Sequence, residues 1–298
     1  MYENHTKNSA DTRPIGIFDS GIGGLSIAQC IHETLPHESL VYVADSKFAP
    51  YGKLNTEQII ERVNYIADQL VKMNVKAIVI ACNTATVNAI DQLRANLSIP
   101  IIGVEPAIKP AAQHSKTKSV GLLVTQATAT NQRFLSLVEK HSNGANVHIQ
   151  PCPDLAYVIE QGHANTLMSY TLLKRYLSPL LEKNIDKLVL GCTHYPFVSE
   201  QIKQILGDKV SLLETALPVT QELTRQLNKH NLSTSLEQST LAKVNTSANI
   251  RFYSTKPSAN QQHIIQQLWK TTEDNLNTPE NTAQTNSNQM QLSLQNFV

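Results

Sequence analysis

Charged side chains are scarce in this sequence. Asp, Glu, Lys and Arg make up 16% of its 298 residues, against about a quarter in an average soluble protein, and the formal net charge is only +1. No overall field then draws nucleic acid or anionic lipid to the surface, so no nucleic-acid partner is expected and any anionic ligand needs a local site. Long apolar runs are missing as well. None approaches the roughly 18 residues that span a bilayer, and the polar opening MYENHTKNSADTRP lacks the apolar centre of a secretion signal. A cytoplasmic protein with no membrane partner is expected. Cysteine is sparse, at positions 30, 82, 152 and 192, and no C-x-x-C pair occurs. That removes the usual zinc and dithiol patterns, and a disulfide framework is out of place in a reducing compartment. Each thiol is left with burial or catalysis, and no metal centre is expected.

What the chain does contain is alternation. PIGIFD, SLVYVAD, KAIVIAC and IPIIGVEP are brief runs rich in Ile and Val that stop at Asp, Cys or Pro, the pattern of strands buried on both faces. Between them lie amphipathic stretches, such as GLSIAQCIHETL and the segment Glu57 to Lys72. Strand and helix in repetition imply parallel βαβ units and an α/β sheet. The rhythm returns after Lys109 with KSVGLLVT, TNQRFLSLVEKH, NVHIQPCP, TLMSYTLLKRYLSPLLEK and DKLVLGC. IGIFDSG from Ile15 echoes VGLLVTQ from Val120, and AIVIACNT echoes KLVLGCTH at nearly the same spacing, which suggests a duplicated unit. The fold expected is two pseudo-symmetric, doubly wound α/β domains with mostly parallel sheets. Beyond about residue 230 a polar loop, a strand at IRFYST and a helix at NQQHIIQQLWK follow. From Thr271 the chain is too poor in large apolar residues to offset the entropy of ordering, and disorder is expected.

DSGIGGLS, Asp19 to Ser26, ends a strand and opens a helix, where open α/β sheets place their ligands. Its spacing is not that of a dinucleotide fingerprint and it lacks the lysine of a phosphate loop. Asp19 and Ser20 either serve a ligand or cap the helix. Cys82 and Cys192 both end buried strands and precede small polar residues, Asn83-Thr84 and Thr193-His194. A free cysteine is usually buried packing, but two in equivalent places of a duplicated unit can face one ligand from opposite sides. Nearby helix N-termini are expected to lower their pKa values. His194 is placed to exchange a proton with Cys192, or else is a hydrogen-bonded structural residue. Cys30 and Cys152 read as packing residues. Pro50-Tyr51-Gly52 is a turn on the same rim as Asp19, with Tyr51 able to offer a hydroxyl or a lid.

DSGIGG, APYG, ACNTAT, GVEPA, CP followed by Glu160, and GCTHYP occur in the order found in glutamate racemases, and from about Pro14 to Lys270 the chain resembles that family. The resemblance implies a cofactor-independent exchange between L- and D-glutamate for peptidoglycan synthesis, in a cleft between the two domains. Cys82 matches the thiol acting on D-glutamate and Cys192 the one acting on L-glutamate, with Asp19 and His194 as their assistants. Asp19, Ser20, Pro50, Tyr51, Gly52, Asn83, Thr84, Thr193 and His194 match substrate-binding positions, and Glu160 an acidic position near the substrate amine. No cofactor is implied, and a homodimer is. With RFYST fitting the family's closing strand, residues 14–104 plus 212–270 form the first domain and 105–211 the second, after a polar extension 1–13. One departure stands out: LLETALP has Glu214-Thr215 where the family usually has Asp and a small residue. The thiol pair fixes the reaction type better than the side chain recognised, so an aspartate or hydantoin racemase remains an alternative. So does a silent amino-acid-binding protein with structural cysteines.

Overall fold

The structure is a computed structural model that describes residues 11–234, 250–273 and 293–297. The first ten residues of the polar extension, most of the expected loop after His230 and most of the segment from Thr271 lie outside the described residues.

The apolar runs form the strands, and they do so because helices cover both faces. In the first unit β1 (Ile15–Asp19), β2 (Leu40–Ala44) and β3 (Ala77–Ile80) are buried at every position, and β4 (Ile101–Gly103) follows them. One face packs against α1 (Leu25–Thr34), α10 (Ala216–Lys229) and α11 (Ala259–Glu273), through Ile17, Tyr42, Val79, Leu223 and Trp269. The other packs against α2 (Thr56–Lys72) and α3 (Asn83–Asn96), through Phe18, Val43, Ile66 and Ile90. The start of α2 is fixed by a capping box. Asn55 Oδ1 accepts from the Gln58 amide at 2.9 Å and Gln58 Oε1 accepts from the Asn55 amide at 3.1 Å.

The second unit repeats the plan with β5 (Ser119–Val124), β6 (Asn146–Pro151), β7 (Lys187–Leu190) and β8 (Ser211–Leu213). Its helices are α4 (Ile108–His114), α5 (Gln126–Ala129), α6 (Gln132–His141), α7 (Leu155–Glu160), α8 (Leu167–Leu181) and α9 (Ser199–Leu206). Every strand pair is parallel among the described residues. The shared order carries the duplication: β2-β1-β3-β4 in one sheet corresponds to β6-β5-β7-β8 in the other, with β9 (Ile250–Ser254) and β10 (Leu294–Asn296) extending the first beyond β2.

Two expectations change. β8 pairs Leu212 with Leu188 and Leu213 with Val189. Residues 212 and 213 therefore belong to the second sheet, and the chain returns to the first unit only after Leu213, because ladder bonds to β7 hold the segment there. Within the stretch expected to be disordered, α11 continues to Glu273 and residues 294–296 form a strand. The entropy of ordering that strand is offset by ladder bonds to β9 and by the burial of Phe297 at 8% exposure.

A buried ion pair ties the end of the first sheet together. Lys76 Nζ lies 2.6 Å from Glu38 Oε2, with side chains 0% and 4% exposed, and also donates to Asp11 O and Thr234 Oγ1. Replacing Lys76 with Ala strands the Glu38 charge, and we expect a loss of about 3–5 kcal/mol in urea unfolding. The double change K76M/E38L should recover most of it; a double variant no better than K76A would contradict this account.

Candidate active site

The two strands β3 and β7 occupy equivalent places, and each delivers a cysteine just past its end. Cys82 is the N-cap of α3: its sulfur accepts from the Ala85 amide at 3.4 Å, and its thiol donates to Ser20 Oγ at 3.6 Å. Cys192 precedes the 3₁₀ turn Tyr195–Val198, with its sulfur 3.6 Å from His194 Nδ1. Both are buried. The helix N-terminus does not lower the Cys82 pKa as the sequence led us to expect. Burial and the neighbouring Asp19 charge push that thiol up, and the Ala85 amide and Ser20 hydroxyl offset them only in part. Cys82 thus rests as a protonated thiol.

Beside the sulfurs lies a cluster of buried Asp19 and His194 with half-buried Glu160, whose ligand-type atoms all lie within 4.8 Å of one another. Glu160 Oε1 accepts from His194 Nε2 at 2.5 Å and from the Ile22 amide at 2.7 Å, so this carboxylate of the second unit holds a loop of the first. Burial alone would discharge His194. The hydrogen bonds to Cys192 and Glu160 outweigh burial and hold the ring charged, well above its ordinary pKa. A charged ring donates Nε2–H to Glu160 and directs Nδ1–H at the Cys192 sulfur. Asp19 Oδ2 accepts from the Gly21 amide at 3.0 Å, while Oδ1 has no partner. Burial raises the Asp19 pKa, the His194 charge opposes this, and Glu160 adds to it.

Asp19, Glu160 and His194 are metal-ligand types. Tetrahedral bonds of about 2 Å would hold two ligand atoms roughly 3.3 Å apart. His194 and Glu160 stand at 2.5 Å, the spacing of a hydrogen-bonded dyad rather than of two ligands on one ion.

The glycines of DSGIGG serve close packing between the units. A Cβ on Gly21 would collide with the Glu160 carboxylate, and one on Gly23 with the His194 ring. Asn83 is 3% exposed, and both its amide atoms are unpartnered and available to a ligand. Thr193 is buried, with its carbonyl accepting from Ser26 Oγ at 3.3 Å. Tyr51 departs from the expected free hydroxyl: it is 1% exposed and donates to Asp45 Oδ2 at 2.6 Å. Pro50 and Gly52 flank it, and Gly52 abuts Thr125. Thr84 Oγ1 faces Thr125 Oγ1 at 3.0 Å and Thr128 Oγ1 at 3.3 Å in the second unit. Our sequence reading missed these two threonines, although extending the echo of Ile15 with Val120 would have set Thr125 opposite Ser20. Glu214 accepts from Ser199 Oγ at 2.9 Å and lines a cavity with Cys30, Phe197 and Leu217. Thr215 is buried at the start of α10. A second cavity, of about 220 Å³, is lined by Ser46, Ala49, Tyr157, Glu160 and Gln161 at the seam between the units.

The family model for Asp/Glu/Hydantoin racemase matches residues 16–251. The chain belongs to that family. A glutamate racemase of Ralstonia pickettii (strain 12J) is 44% identical over 227 residues, covering 76% of this chain and 80% of that one. Among solved structures, glutamate racemase from Francisella tularensis in complex with D-glutamate aligns with a TM-score of 0.75 and 31% identity, over 87% of this chain and 94% of that one. Escherichia coli glutamate racemase, in complex with L-glutamate and the activator UDP-MurNAc-ala, gives a TM-score of 0.75 at 28% identity, over 87% and 95%. This chain is an amino-acid racemase, an isomerase. Among its described residues no helix is long and apolar enough to cross a membrane.

Two predictions follow from the packing of this racemase. Gly23→Ala should displace the His194 ring and lower turnover by about a hundredfold, while the circular dichroism spectrum keeps its native form; normal turnover would show that the ring can move aside. Glu160→Gln should drop the His194 pKa. The stability contributed by charged His194 is fully present below about pH 6.5 and is lost as pH rises through the raised folded value. The unfolding free-energy gap between the native protein and E160Q, measured by urea titration, should therefore be widest in mild acid and narrow with rising pH; a gap that does not vary with pH would contradict the ion pair.

Proposed function

We propose that this racemase interconverts L- and D-glutamate by a two-base mechanism in which Cys192 acts on the L face and Cys82 on the D face. The single observation that carries the reading is the pair of buried thiols just past β3 and β7, equivalent strands of the duplicated plan. In the L-to-D direction Cys192 takes the α-proton as thiolate, helped by the adjacent imidazolium, and Cys82 returns a proton to the opposite face. The protonated state to which burial and Asp19 bias Cys82 suits that second role. A single base would return the proton to the side it left, whereas two opposed groups invert the centre.

The α-proton of an amino acid is weakly acidic, so developing charge on the α-carboxylate needs fixed donors. The unpartnered Asn83 amide, the N-terminus of α3 and Thr193 are suited to supply them. Asp19 stands beside the Cys82 thiol and the Glu160–His194 dyad beside the Cys192 sulfur, and no cofactor enters the scheme. On this reading D-glutamate is made in the cytoplasm for peptidoglycan precursors by a homodimer, in keeping with the chain's likeness to glutamate racemases.

Incubation in D2O tests the substrate. L-Glutamate should gain α-deuterium and yield the D-enantiomer, while L-aspartate and a hydantoin should remain protiated; exchange in either of those with none in glutamate would reassign the substrate. Cys82→Ala and Cys192→Ala should each reduce racemisation by about a thousandfold or more while glutamate still binds. Full activity in either variant would reject the two-base scheme in favour of structural cysteines.

A further inference from the structure

The family match ends at residue 251, yet the described residues 293–297 add a strand to the first sheet beyond it. β10 pairs with β9 in the register Leu294 to Phe252, Gln295 to Tyr253 and Asn296 to Ser254, and the Phe297 amide donates to the Ser254 carbonyl at 2.8 Å. The Phe297 ring meets Tyr253 edge-on, with centroids 6.1 Å apart. It joins the buried cluster that contains Phe18, Val43 and Tyr51, with Phe48 packed at its margin. Phe297 thus belongs to the same apolar cluster as Tyr51 of the turn that also carries Gly52.

Beyond β9 the chain is fastened to the same turn from another side. The Thr255 amide donates to Ala44 O at 3.0 Å, and its hydroxyl accepts from the Lys47 amide at 3.1 Å. Gln261 Nε2 donates to Ser46 Oγ. Within the turn, Asp45 accepts from Tyr51 at 2.6 Å and from Arg62 Nε and Nη2 at 2.9 and 3.0 Å. The guanidinium lies over the Phe48 ring at 4.1 Å and the Tyr65 ring at 4.7 Å. Ser46 and Ala49 line the cavity at the seam, together with Tyr157 and Glu160 of the second unit. A shift of this turn would change the lining of that cavity.

We propose that β10 and Phe297 are a brace that sets the position of the 46–53 turn, and through it of Tyr51 and Gly52, at the substrate cleft. An unpaired β9 would present open backbone donors and acceptors, and the apolar cluster that holds Tyr51 would lose one of its members. Phe297 touches no reacting atom and acts through the cluster it shares with Tyr51; it is a positioning residue. Its bearing on turnover rests on the glutamate reading above.

The test compares the full chain with a chain ended at Leu292 and with Phe297→Ala. Steady-state kinetics are measured in both directions, alongside hydrogen–deuterium exchange over 46–53. The brace predicts a KM for glutamate raised roughly five- to tenfold with kcat within about twofold. It also predicts faster amide exchange in 46–53 in both variants, and recovery of both quantities in Phe297→Tyr. A lowered melting temperature with KM and turn exchange unchanged would reduce the tail to an ordinary stabilising strand and overturn the proposal. If the truncated chain does not fold, Phe297→Ala decides the question alone. If the full chain fails to racemise glutamate, exchange over 46–53 still decides whether the brace exists, so the two readings fail separately.

Discussion

One carboxylate connects the two halves of this protein's chemistry. Glu160, at the end of α7, accepts from the Ile22 amide of the first unit and from His194 of its own. The first bond holds the DSGIGG loop against the second unit. The second, together with the hydrogen bond to Cys192, keeps the imidazole charged in a place where burial alone would discharge it. Were the His194 bond lost, the ring would lose one of the hydrogen bonds that raise its pKa and the anchor that holds Nδ1 3.6 Å from the Cys192 sulfur. Gly21 and Gly23 follow from the same constraint, since side chains there would fill the space that Glu160 and His194 occupy.

The scaffold is symmetric where the chemistry is not. Matching strand orders place Cys82 and Cys192 alike, and the residue two positions on crosses in each case toward the opposite unit. On one side that residue is Thr84, facing the Thr125 and Thr128 hydroxyls; on the other it is His194, packed on Gly23. Cys82 lies near a buried carboxyl and a serine hydroxyl, Cys192 near an imidazolium. Two buried thiols with different neighbours thus arise from one duplicated plan.

Much of the fold was legible because continuous Ile- and Val-rich runs between amphipathic stretches leave parallel α/β sheets as the economical arrangement. IGIFD, LVYVA and AIVI emerged as buried strands at the positions read for them. The strand at Leu294–Asn296 was not legible, because LSLQNF is short and mostly polar and gains its order from β9 and from the pocket that receives Phe297. The fate of Leu212 and Leu213 was equally hidden, since which sheet takes a short apolar segment depends on the partner strand within reach.

By itself the sequence determined the repeated βα plan, the two thiols at equivalent strand ends and the small polar residues beside them, because periodicity and order along the chain are local properties. Tertiary structure decided the electrostatics. Cys82 sits at a helix N-terminus, which favours thiolate, yet is held as a thiol by its burial beside Asp19, which lies at the end of the neighbouring strand. His194 is held charged by the Cys192 sulfur and by a carboxylate 34 residues away in the chain. Tyr51 is turned from a free hydroxyl into a buried donor to Asp45. In each case the deciding quantity is the distance and solvation between groups far apart in sequence, and those are fixed only when the two units close on one another.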